Sequence, residues 1–171
     1  MALAMLENKK RLEVIMSYFE PEIENQIEGQ FNSVTVIDPA RLDHKPNFVI
    51  DPSQPFDIEI AWELNGNQVP LYVDHPQTSA NWTVNVFAES MGPGPELAIY
   101  NGAEAKGTGA LSMPYSHTAT VSAGSLSEHI PNTQSGMYKL VVTVFLNSTT
   151  GFGYDIAGCF EGPIIMVENP V

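Results

Sequence analysis

Three carboxylates stand at alternate positions of one short stretch, where they could form a binding surface. Residues 56–64 read FDIEIAWEL, with Asp57, Glu59 and Glu63 at odd positions and large apolar residues at even ones. Alternate side chains of a β-strand point to opposite faces, so these acids would line one outer face above a buried apolar stripe. Such a row predicts a metal site, a partner surface or a solvated face.

Calcium is the metal to weigh, because Ca²⁺ takes several oxygen ligands. Asp51, Asp57 and Asp74 could converge in principle, but no D-x-D-x-D loop occurs. Carboxylates at alternate strand positions point in parallel, several ångströms apart, instead of meeting at one ion. We therefore assign no metal-ligating residue, and calcium stays an alternative.

The sequence shows no nucleophile paired with a base. It lacks the G-x-S-x-G elbow, the H-E-x-x-H zinc motif and the Walker loop for phosphates. His44, His75, His117 and His129 are spread along the chain, and the first two each follow an aspartate. A metal pocket built from those two pairs is the functional alternative to solvated loop residues. We predict a protein that is not an enzyme and has no catalytic residue.

Cys159 is the only cysteine, which excludes an intrachain disulfide and a cysteine-based zinc cluster. It begins a predicted strand, and no histidine or cation lies nearby in the sequence to lower its pKa. A buried thiol that packs as a small apolar group is the better interpretation. We predict no cofactor.

The charge distribution excludes two classes of partner. The chain has a formal net charge of −13, and residues 46–171 hold only Lys106 and Lys139 against twelve acids. Nucleic acids and anionic membrane surfaces require clustered lysine and arginine, so neither is an expected partner. The N-terminus lacks a secretory h-region, and no apolar run approaches the roughly 18–20 residues that span a bilayer. These features predict a cytoplasmic protein without membrane insertion.

The first twenty residues differ from the rest and predict an α-helix. They contain no glycine or proline, and Leu12, Ile15, Met16 and Phe19 fall at i, i+3, i+4 and i+7. Pro21 would end the helix. The polar residues 21–32 are interpreted as a linker. The apolar stripe either packs over the open end of its own domain or docks on a neighbouring molecule.

From residue 33 onward the apolar period changes from helical to two, which predicts a β-sandwich domain over 33–171. Turn signals such as Asn65-Gly66 and Asn101-Gly102 separate the segments. No helix of crossover length lies between them, so the sheets should be antiparallel, with about seven to nine strands in all. The candidate strands are 33–37, 47–51, 56–64, 69–73, 82–90, 96–100, 117–122, 137–146 and 159–168.

Residues 136–140, GMYKL, carry a resemblance. The segment resembles the approach to strand F of immunoglobulin-like sandwiches, where Tyr138 would be the tyrosine of the tyrosine corner. Trp62 or Trp82 could supply the core tryptophan of such domains. The resemblance implies an immunoglobulin-like or fibronectin-type-III-like fold at the superfold level.

The resemblance has limits in the residues themselves. Leu140 stands where the second cysteine of antibody domains would be, and Gln134 where an acidic residue often precedes the glycine. The likeness covers residues 45–168 and implies a fold without a function. The fold expected is therefore an all-β, antiparallel, immunoglobulin-like β-sandwich with an N-terminal α-helix.

These features predict a non-catalytic structural or protein-interaction module that self-assembles through its N-terminal helix. The basic run Lys9-Lys10-Arg11 could meet the acidic body of another copy. The predicted partner-binding residues combine the helix stripe with the acidic row: Leu12, Ile15, Met16, Phe19, Asp57, Glu59 and Glu63.

The alternative is a calcium- or carbohydrate-binding sandwich that uses the loops at one end. Aromatic side chains that stack on sugars would serve the second of these functions. The candidates are Tyr72, Trp82, Tyr100, Tyr115 and Tyr154.

Overall fold

The computed structural model describes residues 16–38, 46–149 and 155–169, which fold as two antiparallel β-sheets. The described residues form nine strands and one short helix. Their bounds are β1 Ser17–Glu20, β2 Glu28–Ile37, β3 Val49–Ile50, β4 Phe56–Asn65, α1 Val69–Val73, β5 Asn81–Ser90, β6 Leu97–Ala105, β7 Ser112–Val121, β8 Met137–Leu146 and β9 Ile156–Val167. The predicted all-β class is confirmed.

The larger sheet has the order β1-β9-β8-β5-β6, and the smaller sheet has the order β2-β4-β7. The neighbours along both paths are antiparallel. The short β3 adds to β9 in parallel, with Val49 opposite Met166. β8 is therefore a central strand, paired on both sides.

The core lies between the two sheets, and period-2 alternation places it there. In β4, the residues from Phe56 to Leu64 alternate between buried and more exposed, as the sequence predicts. The inward residues of β8, from Tyr138 to Leu146, face them from the larger sheet. Trp62 and Trp82 are fully buried and meet edge to face, with ring centroids 5.7 Å apart. Such aromatic pairs contribute about 0.5–1.5 kcal/mol beyond area burial.

The N-terminal helix is not seen in the described residues. Residues 1–15 of the predicted helix lie outside them, and Ser17–Glu20 is strand β1, so the helix prediction is wrong over these four residues. Pairing with β9 satisfies the backbone of β1 and turns Phe19 into the core, where it is 2% exposed. The ring of Phe19 lies 5.1 Å from that of Phe31. β2 begins at Glu28, within the segment interpreted as a linker.

The strand predicted over 69–73 is also wrong, because Val69–Val73 forms helix α1. Val73 follows Val69 by four positions, a spacing that fits the period of a helix as well as that of a strand. Both side chains are buried. Pro70 stands in the first turn, where its missing N–H costs nothing. Leu71, between the two valines, is exposed. No helix in the described part of the chain is long and apolar enough to cross a membrane.

Candidate protein-interaction surface

Exposed methionines form a row across one end of the larger sheet. Met137 of β8 lies opposite Met166 of β9, and Met166 lies opposite Val49 of β3. On the other side of β8, the amide of Met91, just after β5, donates to the carbonyl of Met137 at 2.9 Å. Tyr138 and Ile165 point into the core, so Met137 and Met166 point outward.

Ile164 extends this row toward the middle of the sheet, because it lies opposite Lys139 on the same outer face. We call Val49, Met91, Met137, Ile164 and Met166 the methionine face. Met91 is 50% exposed, Met137 44% and Met166 38%. The face contains five of the twelve exposed large apolar side chains in the described part of the chain. A contiguous group of this kind indicates an interaction site, whereas scattered exposed residues need no explanation.

A hollow of about 460 Å³ opens beside the face. Met137 and Met166 contribute apolar lining, and Glu128, His129 and Glu168 contribute polar lining. Gly136, which separates the β7–β8 loop from Met137, has a φ of +70°, and a Cβ there would lie 2.6 Å from the amide nitrogen of His129. A glycine is therefore required for the loop to fold back against the strand.

The next row of the outer face is occupied by an ion triad. The Nζ atom of Lys139 lies 2.8 Å from a carboxylate oxygen of Glu161 and 2.8 Å from one of Glu89. Both hydrogen bonds raise the pKa of Lys139 above its ordinary value, and the one to Glu161 has the larger effect. The two carboxylates outnumber the one ammonium, and Glu128 and Glu168 add further acids at the hollow. The methionine face is thus apolar with acidic groups around it.

Cys159 lies farther along the same outer face, opposite Thr143 and Tyr18 on the two neighbouring strands. Burial raises the pKa of the Cys159 thiol, and the carboxylates of Glu161 and Glu89 add to the effect. The hydrogen bond with Tyr18 acts in the opposite direction. A thiol with a raised pKa is mostly protonated at neutral pH and is a poor nucleophile.

The acidic row lies on the outer face of the smaller sheet. Glu59 is exposed, and Asp57 and Glu63 are half-buried. The Thr120 hydroxyl donates to a carboxylate oxygen of Asp57 at 2.7 Å, and the side-chain amide of Gln30 donates to Glu63. Neighbouring strands therefore supply neutral donors to two of the three acids.

Of the other predicted partner-binding residues, the two that the structure describes are not brought to that row. Leu12 and Ile15 lie outside the described residues. Met16 is exposed beside the start of β1, at the edge of the larger sheet, and Phe19 is in the core. Met16 and the acidic row therefore belong to different sheets, and Phe19 is not available to a partner in this structure.

The carboxylates considered for calcium are engaged separately. Asp51 accepts from the amide and hydroxyl of Ser53, and Asp74 accepts from the amide of Gly109 at 2.7 Å. Asp57 is bonded to Thr120. Within the described ranges, no group of three or more histidine, cysteine or acidic side chains could hold a metal ion.

The described aromatic residues that were considered for sugar stacking are buried or partly buried. Trp82 is fully buried, and Tyr115 is buried and stacks on Trp62 with centroids 5.3 Å apart. Burial raises the pKa of Tyr115. Tyr72 is partly buried on α1, and Tyr154 lies outside the described residues.

Tyr100 belongs to a linked set of side chains that the sequence does not reveal. Its hydroxyl lies 2.7 Å from Nε2 of His117, and Nδ1 of His117 lies 3.0 Å from Glu104. The carboxylate favours a proton on Nδ1, which leaves Nε2 to accept from the tyrosine. Tyr100 and Glu104 belong to β6 and His117 to β7, so the set joins the two sheets at one edge. We interpret it as a structural contact.

Comparison with protein-family models and with curated proteins finds no match for this chain.

Proposed function

We propose that this protein is a non-catalytic protein-interaction module that binds an apolar segment of its partner through the methionine face. The observation that carries the proposal is the contiguous exposure of the five side chains across the ends of adjacent strands. Full burial of one large apolar side chain contributes about 1.5–3 kcal/mol. These side chains are about half exposed, so a partner that covers them recovers part of that amount for each.

Methionine suits such a surface. Its side chain is unbranched and polarizable, and it adapts to the shapes of different partners. Acidic groups surround the face, and Lys139 is already bound by Glu89 and Glu161. The partner segment expected here is therefore apolar with basic residues near it, because opposite charges favour encounter and orientation.

An immunoglobulin-like architecture is part of the proposal. In immunoglobulin-like domains, strands A, B and E belong to one sheet and strands C, F and G to the other. β2, β4 and β7 correspond to the first set, and β5, β8 and β9 to the second, in the same order along the chain. The Tyr138 hydroxyl donates to the carbonyl of Ser127 in the preceding loop at 3.1 Å. This contact has the form of a tyrosine corner and supports the assignment.

A peptide-display selection on the immobilised protein tests the interaction. The expected binders are apolar peptides with basic residues that lose most of their affinity for the double variant Met137→Glu/Met166→Glu. The matched control, Ser116→Glu/Thr118→Glu, adds the same charge to the outer face of the smaller sheet and should leave binding unchanged. Failure to recover binders, or equal binding to both variants, would refute the proposal.

A further inference from the structure

We infer that residues 1–15 of the same chain cover the methionine face and so compete with its partner. The competition rests on the function proposed above, whereas the contact itself does not. The inference combines three observations: where the described chain begins, how far the segment can reach, and what side chains it carries.

The described chain begins beside the methionine face. β1 is antiparallel to β9, and from Glu20 back to Ser17 it advances along β9 from Ala157 to Phe160. At the next position, the amide of Glu161 donates to the carbonyl of Met16 at 2.8 Å. The N-terminal end of β1 is therefore directed along β9 toward Ile164 and Met166.

The segment is long enough to cover the face. Glu161 and Met166 are five residues apart on β9, about 17 Å, and β1 is three strand spacings from β5, about 14 Å. The diagonal from Met16 to Met91 is then about 22 Å, the length of fifteen residues in an α-helix at about 1.5 Å each. An extended chain of fifteen residues reaches about 50 Å.

The segment also has the side chains that the face requires. Residues 1–15 read MALAMLENKKRLEVI, with large apolar residues at both ends and Lys9-Lys10-Arg11 near the middle. The apolar residues can cover the methionines. The three basic residues can approach Glu89 and Glu161 of the ion triad, where the carboxylates exceed the ammonium.

Attachment to the same chain favours this occupant over a second copy. A short tether gives a binding segment a local concentration of the order of millimolar. A second copy must in addition bring together two bodies that each carry an excess of acids over residues 46–171. The segment of the same chain is therefore the stronger competitor.

Paramagnetic relaxation in the full chain tests the contact. A nitroxide is attached at residue 8 in the variant Asn8→Cys/Cys159→Ser, and methionine methyl groups are labelled with carbon-13. We expect broadened signals from Met91, Met137 and Met166. Met113 is the internal control, because it is buried and its sulfur accepts from the hydroxyl of Tyr115. The Tyr115 ring lies 5.2 Å from that of Trp82 near the start of β5, at the opposite end of the sandwich.

Two further samples complete the design. Adding Leu12→Asp/Ile15→Asp to the spin-labelled chain should restore the three signals, because the charged residues are expelled from the apolar face. Mixing spin-labelled chains with separate methyl-labelled chains should leave the signals sharp. Broadening in the mixed sample as well as in the doubly labelled chain would assign the contact to a second copy and overturn the inference. Absence of broadening in the labelled chain itself would also overturn it.

Freeing the face should strengthen partner binding. If the segment covers the face for about nine-tenths of the time, Leu12→Asp/Ile15→Asp raises the apparent affinity for a display-selected peptide about tenfold. The two proposals fail separately. Broadened methyl signals without any peptide binder refute only the partner function, and peptide binding without broadening refutes only the coverage by residues 1–15.

Discussion

Met137 and Tyr138 are neighbours in the chain and belong to opposite surfaces of the larger sheet. The tyrosine side chain is in the core, and its hydroxyl bonds to Ser127, whereas the methionine side chain is exposed. One peptide unit separates a residue that stabilises the fold from a residue of the proposed binding surface. A substitution at either position should therefore have a different readout: unfolding free energy for Tyr138 and binding for Met137.

Cys159 offers a test at the same scale. Burial raises the pKa of its thiol, so at any given pH the folded protein holds less thiolate than a free cysteine does. We expect slow alkylation by iodoacetamide at neutral pH and a rate that rises only at a higher pH than for free cysteine.

The control for Cys159 is the same reaction in denaturing urea, followed by mass spectrometry. Unfolding removes the burial, and the rate should approach that of a free thiol. Alkylation of the folded protein as fast as that of a free thiol would contradict the prediction.

The elements β6 and β7 are held together by side chains, because they belong to different sheets. Tyr100, His117 and Glu104 form the contact, and the His117 side chain is 10% exposed. A tyrosine hydroxyl lost here leaves Nε2 of the imidazole buried without its partner. The stability of this edge should therefore depend on the hydroxyl group of Tyr100.

Tyr100→Phe should lower the free energy of unfolding by about 1–3 kcal/mol, the cost of leaving a buried polar group unsatisfied. Urea denaturation measures the change. Ser116→Ala on the outward face of β7 is the matched control and should stay within about 0.5 kcal/mol. An unchanged stability for Tyr100→Phe would show that the hydrogen bond has no role in closing this edge.

The whole molecule carries an excess of negative charge that the fold does not neutralise. The net charge is −13, and Lys139 is the only lysine with an ion pair among the described residues. Mutual repulsion of the carboxylates disfavours the compact state, and salt screens it.

The urea midpoint should therefore rise when sodium chloride is increased from low to physiological concentration and above. The variant Glu59→Gln/Glu63→Gln removes two charges from the acidic row of the smaller sheet, and its midpoint should rise less. A midpoint that falls with salt would show that attractive ion pairs outweigh the repulsion.

The sequence by itself determined the all-β class and the apolar face of β4, because strict alternation can be satisfied only by a strand with one buried side. Over 69–73, the four-residue spacing of Val69 and Val73 fits both a strand and a helix. The local pattern could not distinguish these two elements. For β1, the helical spacing of Met16 and Phe19 was overridden by pairing with β9.

The methionine face was decided only by the tertiary structure. Met91, Met137 and Met166 are far apart in the sequence, and each alone is an ordinary apolar residue. The strand order β5, β8, β9 and the register between them place the three side by side on the outside. The same holds for Tyr100, Glu104 and His117. Local periodicity can state which side of a strand is buried, but which residues share a surface depends on long-range pairing, and no local pattern encodes that pairing.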